Sequence, residues 1–139
     1  MATFNKFDAF VENLAEGVHN LQTGAITVAL TAAANAPVAT NTVLANLTQV
    51  AYTNLSARVV TITSSAQASG TYKLIGTDLV LTATGAVATF RYVVLYNDTP
   101  TSPADPLIGW YDYGSDVTLA NGETFTIDFD GTNGILSLA

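Results

Sequence analysis

The strongest hydrophobic pattern in the chain covers residues 90–97, which read FRYVVLYN. Side chains of a strand alternate between its two faces. One face would hold Phe90, Tyr92, Val94 and Tyr96, and the other Arg91, Val93, Leu95 and Asn97. Both sets are largely apolar, and β-branched and aromatic residues favour strands over helices. We therefore predict a central strand that is covered on both faces and is ended by the turn-forming residues 97–100.

A helical period predicts one helix at residues 4–16. The positions that share its apolar face are Phe4, Phe7, Phe10, Val11, Leu14 and Val18. Asp8, Glu12 and Glu16 form an acidic row on another face, and Gly17 is placed to end the helix. We expect the acidic row to face water, with contact to a basic partner as the alternative. The phenylalanine stripe is predicted to pack on the protein's own sheet, with docking on a neighbour as the alternative.

Short apolar runs bounded by turn signals predict the remaining strands. They lie at 26–30, 58–63, 72–75, 78–83, 106–114, 125–129 and 135–138. Residues 72–75 and 78–83 are predicted to form a hairpin around Gly76 and Thr77, and 64–70 to form a loop of small residues. Alternation along 106–114 predicts one face with Leu107, Tyr111 and Tyr113, and another with Ile108, Trp110 and Asp112.

Two connections are long and polar. Residues 31–54 are rich in Ala, Asn and Thr, and we predict a short helical turn or edge strand within them at 43–50. Residues 97–105 contain two prolines and are predicted to form an exposed loop. Loops of such length in compact domains are often functional or lie against a partner.

The number and spacing of these short strands predict a mainly β fold. We expect an antiparallel β-sandwich, or a barrel-like arrangement, with one short N-terminal amphipathic helix. The length of 139 residues predicts a single domain over 1–139, with a helical region at 1–18 and the sandwich at 24–139.

Composition narrows the classes of function. Charged residues make up only 11% of the chain and hydrophobic residues 49%, which is common in permanent assemblies and also in many free β-sandwiches. The net charge of −7 and four scattered cations, Lys6, Arg58, Lys73 and Arg91, argue against a nucleic-acid surface. The absence of cysteine excludes disulfides and thiolate metal sites.

No targeting or membrane signal stands out along the chain. No apolar stretch reaches the roughly 18 residues that a membrane helix needs. The amino end lacks the basic-then-apolar pattern of a secretory signal. We therefore expect a protein that is made and kept in solution and has no membrane contact.

Catalytic and ligand-binding candidates are few. His19, the only histidine, follows the predicted helix and is interpreted as a helix-end or loop residue rather than a general base. Asp112, Asp128 and Asp130 are the best candidates for paired-acid chemistry, but are more typical of a solvated sheet surface.

Two segments have residue types that could form a ligand site. The segment 128–134 resembles a calcium loop only faintly, because Asn133 stands where an EF-hand needs glycine; a looser calcium site between loops is the alternative. Trp110, Tyr111 and Tyr113 could belong to a sugar platform, although packing in the core or against a subunit is favoured. We predict no enzyme, no cofactor and no dedicated metal site.

Several stretches resemble a family of small virion proteins of tailed bacteriophages and prophages. They are FRYVVLYND at 90–98, PLIGWYDYG at 106–114 and GETFTIDF at 122–129 in the carboxy-terminal half, and PVATNTVL at 37–44 and the Phe-rich amino end with HNL at 19–21. The similarity covers most of the chain but contains no catalytic motif, and no functional residue is carried over from the family.

The resemblance implies a capsid decoration, or cement, protein. Such a protein lies on the outside of the virion shell, binds the major capsid protein and copies of itself as a homotrimer, and is made in the bacterial host cytoplasm. A tail, neck or fibre-base component is the alternative within structural proteins, and a carbohydrate-binding adsorption module is the alternative of another class. The candidate contact residues lie on the helix side and in loops 33–43 and 98–105: Phe4, Phe7, Pro37, Val38, Thr101 and Pro103.

Overall fold

The computed structural model describes residues 2–139 and confirms the predicted fold class. Strands hold 43% of the chain and helices 10%, so the fold is mainly β. It consists of three antiparallel sheets and one α-helix in a sandwich-like arrangement. No helix among these residues has the length and apolarity needed to cross a membrane.

Nine strands and one α-helix follow one another in the described part of the chain. They are β1 (Asn5–Lys6), α1 (Asp8–Ala15), β2 (Ile26–Thr31), β3 (Ile62–Ala68), β4 (Thr71–Gly76), β5 (Leu79–Thr82), β6 (Phe90–Asn97), β7 (Leu107–Val117), β8 (Thr124–Ile127) and β9 (Leu136–Leu138). Two short 3₁₀ turns, Ala33–Asn35 and Leu44–Asn46, lie in the long connection after β2. The second is the helical turn predicted at 43–50.

The largest sheet has the strand order β1-β7-β6-β2, and the smaller sheets are β3-β4-β9 and β5-β8. Irregular segments cover the outer edge of β2. The Val28 N–H donates to the Arg58 carbonyl at 2.9 Å, and the Val60 N–H donates to the Ile26 carbonyl at 2.8 Å. The strand predicted at 58–63 is therefore divided: its first half pairs with β2, and β3 begins at Ile62.

The central strand β6 is buried on both faces, as predicted. On one face, the largest sheet packs against the two smaller sheets in the main core, to which β6 contributes Val93 and Leu95. On the other face lies a second cluster, made of Phe7, Ala29, Val94, Tyr96 and Leu107, with Leu44, Leu47 and Trp110 packed against it.

Two irregularities between β6 and β7 correct the predicted faces. The register shifts between Phe90 and Tyr92, so Phe90 joins the main core rather than the face of Val94. It shifts again between Leu95 and Tyr96. As a result, Leu107 and Trp110 both lie in the second cluster, whereas strict alternation predicted them on opposite faces of the strand. A bulge inserts an extra residue and so breaks the period of two on which the prediction rested.

The helix is shorter than the 4–16 predicted. It begins at Asp8, while Asn5–Lys6 forms a strand paired with β7. Phe4 and Phe7 therefore lie on opposite faces of the largest sheet, where the Phe4 ring packs edge-on against Tyr111 at 5.6 Å. Gly109 permits this arrangement, because a Cβ there would lie 2.3 Å from the Phe4 ring.

The solvent face of the helix is wider than the pattern indicated. The acidic row of Asp8, Glu12 and Glu16 is exposed, as predicted. Val11, which was placed on the apolar stripe, is also 52% exposed. Phe10 is buried in the main core, so this part of the stripe packs on the protein's own sheets. Gly17, with φ of 77°, follows the last turn and ends the helix as predicted.

The predicted hairpin around Gly76 is wrong. β4 pairs with β3 through a tight turn at Ser69 and Gly70, and β5 pairs with β8 in another sheet. Residues 64–70, predicted as a loop, are largely the strand β3 and its turn. The small side chains of this segment carry no hydrophobic alternation, so only the pairing with β4 reveals the strand.

Candidate contact surface

The two long loops lie side by side at one edge of the fold. Val43 forms an isolated antiparallel bridge with Pro106. The Leu44 N–H donates to the Asp105 carbonyl at 3.0 Å, and the Leu107 N–H donates to the Thr42 carbonyl at 3.1 Å. Backbone hydrogen bonds thus join the loop before Leu44 to the loop after Asn97. We call residues 36–47 and 98–106 together the loop surface.

The start of the helix is attached to the same surface. The Asp8 N–H donates to the Ala39 carbonyl at 2.9 Å, and the Phe7 N–H donates to the Ile108 carbonyl at 3.2 Å. All three segments that the sequence offered as contact sites are therefore neighbours. Their adjacency could not be inferred from the sequence, because it depends on long-range backbone hydrogen bonds.

A buried aromatic pair supports the loop surface from below. Phe7 is 0% exposed, and its ring lies 4.6 Å from that of Trp110, centroid to centroid. Leu44 and Leu47 of the loop pack against the same cluster. The loop surface consequently rests on close-packed side chains, which resist deformation.

The six predicted contact residues divide into two groups. Val38 is 53% exposed, and Thr101 and Pro103 are also exposed, so these three can meet a partner. Phe7 and Pro37 are buried, while Phe4 is half-buried on the opposite face of the sheet. The burial of Phe7 leaves it no surface to present, and its role is to support the loops.

The loop surface also carries an acidic pair, Asp98 and Asp105, which is not among the predicted contact residues. Burial raises the pKa of the Asp105 carboxyl, and hydrogen bonding to Asp98 and its charge raise this pKa further. The two residues stand at the start and end of loop 98–105, so only their spacing across that loop could have suggested them. Uncharged exposed side chains beside two carboxyls suit a neutral or basic partner surface.

His19 is buried between the helix end and the largest sheet. It is 6% exposed, its ring packs edge-on against Phe10 at 5.2 Å, and its Nδ1 lies 3.3 Å from Asn97 Nδ2. Burial lowers the pKa of His19 to about 4. Its Nε2 has no hydrogen-bond partner in residues 2–139. The surroundings are those of a packed neutral imidazole, and among residues 2–139 no serine hydroxyl is hydrogen-bonded to it.

The three candidate acids have different surroundings: Asp112 and Asp130 each accept hydrogen bonds from neighbouring groups, and Asp128 lines a groove. Asp112 accepts two hydrogen bonds from the Arg91 guanidinium, at 2.8 and 3.0 Å, and these bonds are the main reason that the pKa of Asp112 is lowered. The pKa of Asp130 is lowered by hydrogen bonds from the backbone N–H of Asn133 at 2.8 Å, from the Asn133 side-chain amide at 2.9 Å and from the backbone N–H of Thr132 at 2.8 Å. Within residues 2–139, no group of three or more His, Cys, Asp or Glu residues could hold a metal ion.

Asp128, the third acid, lies at an aromatic groove between β7 and β8. The groove has a volume of about 250 Å³, and Tyr111, Tyr113, Phe125 and Asp128 are among the residues that line it. Tyr113 is 54% exposed and its ring lies 5.2 Å from that of Phe125. Burial raises the pKa of Tyr111 to about 12. Trp110, the other predicted platform residue, faces the opposite side and packs on Phe7.

Comparison of the chain with protein-family models, with curated proteins and with solved structures finds no match in any of the three.

Proposed function

We propose that this chain is a non-enzymatic structural protein of a tailed-phage virion, bound to the outside of the major capsid shell as a decoration protein. The resemblance of several stretches to small phage virion proteins supports the role. The observation that carries the proposal on the molecule itself is the loop surface, in which three separate segments meet over a buried cluster.

The physical requirements of decoration agree with this surface. A cement protein needs contacts that stay in one geometry, because ordering a mobile loop on binding costs free energy. The loop surface is already ordered by backbone hydrogen bonds to Ala39, Thr42 and Asp105. Many copies on one shell gain from avidity, so each contact can be modest.

The copy number of the protein in purified particles tests the role. Quantitative mass spectrometry would compare its copies with those of the major shell protein. A number approaching that of the shell protein agrees with decoration. A handful of copies would favour the neck, tail or fibre base, and absence from particles would overturn the virion proposal.

Bulky substitutions test the position of the contact. Val38→Trp and Thr101→Trp are each expected to weaken binding to undecorated shells at least tenfold. The reason is that a close-packed interface leaves no room for the added volume of an indole. Both sites are exposed, so the fold should be unaffected. The matched control is Val80→Trp on β5, where the valine is 49% exposed and belongs to the separate two-stranded sheet β5-β8. Equal binding of all three variants would contradict the placement.

A carbohydrate-binding adsorption module is the second candidate, and the aromatic groove favours it. In the described part of the chain, no Lys or Arg lines the groove, and Asp128 contributes an acceptor, so a neutral oligosaccharide suits the groove better than an anionic one. We expect Tyr113→Ala to abolish binding of a host-surface oligosaccharide, and Tyr113→Phe to retain most of it. Titration calorimetry would measure both. No binding by the unaltered chain would remove this candidate.

A further inference from the structure

Strand β3 has one unpaired edge. Over Ser64–Ala68, one edge of the strand pairs with β4. The pairing runs from Ser64 opposite Ile75 to Ala68 opposite Thr71. No backbone hydrogen bond in residues 2–139 joins the other edge of that segment to the rest of the chain. Ala66, Gln67 and Ala68 are exposed. The strand therefore presents free N–H and C=O groups to whatever approaches it.

The edge lacks the usual protection against pairing. Natural edge strands carry charges, especially lysine, or proline, or are very short. Residues 59–72 contain no charged residue and no proline, and the one irregularity, between Ile62 and Ser64, leaves the following five residues regular. The other outer strands differ in length: β1 has two residues including Lys6, β9 has three, and β5 and β8 have four each. The outer edge of β2 is covered by residues 58–60.

We propose that β3 pairs antiparallel with β3 of a second copy of this chain. The two copies would then share a continuous six-stranded sheet in the order β9-β4-β3-β3-β4-β9. An antiparallel pair of identical strands is two-fold symmetric, and the same surface serves both partners. The small side chains of Ser64, Ala66 and Ala68 leave room for a neighbouring strand.

The lack of charge along the β3 edge favours a second copy of this chain as the strand that pairs with it. Two copies with a net charge of −7 each repel one another, and the uncharged run 59–72 is where they approach with least repulsion. A basic partner would instead be drawn to the acidic row of α1 or to Asp98 and Asp105. The pair of strands is a small interface, so we expect weak association that depends on protein concentration.

Charge-swap variants at Ala66 test this pairing. With the two-fold axis at the middle of Ser64–Ala68, each Ala66 faces its counterpart directly, where like charges destabilise and opposite charges stabilise a strand pair. Ala66→Lys and Ala66→Glu should each weaken self-association at least tenfold. An equimolar mixture of the two variants should restore it. Val80→Lys is the matched control and should associate like the unaltered chain.

Sedimentation equilibrium of the purified full chain over a wide concentration range measures this without any capsid, so its result is separate from that of the decoration proposal. A monomer–dimer equilibrium with the expected charge-swap rescue supports the inference. A monomer at all concentrations, a dimer insensitive to Ala66→Lys, or a mixture of variants that stays monomeric overturns it. A trimer, which the resemblance to decoration proteins implies, would also overturn it.

Discussion

Replacing Phe7 with alanine is expected to lower the free energy of unfolding by about 3–5 kcal/mol, the cost of emptying a fully buried aromatic site. The side chain is 0% exposed and its ring packs on Trp110. It also lies under the loop surface, in the cluster that Leu44 and Leu47 cover. The cavity cannot be closed cheaply, because β6 and β7 form one wall of it and are fixed by their sheet hydrogen bonds.

Urea unfolding followed by circular dichroism measures this loss. Val11→Ala is the control on the adjacent helix, and because Val11 is 52% exposed its effect should stay within about 0.5 kcal/mol. Phe4→Ala should fall between the two, since that ring is half-buried. A loss below about 1 kcal/mol for Phe7→Ala would contradict the full burial of this side chain.

The same substitution separates support from contact. If Phe7 touched the proposed shell partner directly, as its place among the predicted contact residues implies, Phe7→Ala would weaken that binding even when the protein is fully folded. The structure instead makes Phe7 a positioning residue for loops 36–47 and 98–106. Its loss should therefore reduce binding together with stability, whereas Val38→Trp should reduce binding alone.

The elements predicted correctly are those whose evidence is local. β2 and β6 hold strongly apolar, β-branched runs, and β8 alternates cleanly, so their own residues specify a strand. Gly17 likewise ends the helix through its own conformational freedom. For these segments tertiary structure reinforces the local preference, and the sequence is sufficient.

The wrong predictions concern strand pairings between residues that are distant in the sequence. The residues ITSSAQA of β3 have no hydrophobic period and become a strand only by pairing with β4. Gly76 and Thr77 do not close a hairpin because β4 and β5 find partners in separate sheets. The first turn of the predicted helix is a strand because the edge of β7 offers hydrogen bonds to Asn5–Lys6.

The candidate contact surface was predictable in its parts but not in its assembly. Length and composition drew attention to both loops, and Val38, Thr101 and Pro103 are exposed there. The bridge between Val43 and Pro106 joins residues far apart in sequence, so no local sequence pattern predicts it. The burial of Pro37 and Phe7 follows from that bridge and from the position of the helix start, so it could be found only in three dimensions.

The second large effect is an acid-sensitive stability that depends on His19. The pKa of this imidazole is about 4 in the folded protein, against an ordinary value of 6.5 for an unfolded chain, because burial disfavours the charged form. Protonation would also place a second donor against the Asn97 amide nitrogen, 3.3 Å from Nδ1. The folded state therefore takes up a proton only at lower pH than the unfolded state does.

This difference fixes the sign of the pH dependence. Above pH 6.5 both states are neutral at His19 and its contribution is constant. As the pH falls from 6.5 to about 4, only the unfolded state gains the proton, and up to about 3 kcal/mol of stability is lost; below pH 4 the loss levels off. Urea unfolding at a series of pH values measures the loss.

The His19→Gln variant isolates this contribution from that of the carboxylates. Asp112 and Asp130 have lowered pKa values in the folded protein, so their stabilising bonds are also lost in acid, but equally in both proteins. The stability of the variant relative to the unaltered chain should therefore rise as the pH falls from 6.5 to 4. A constant difference across that interval would show that His19 is protonated in the folded protein as readily as in the unfolded one, and therefore that it is not a packed neutral imidazole.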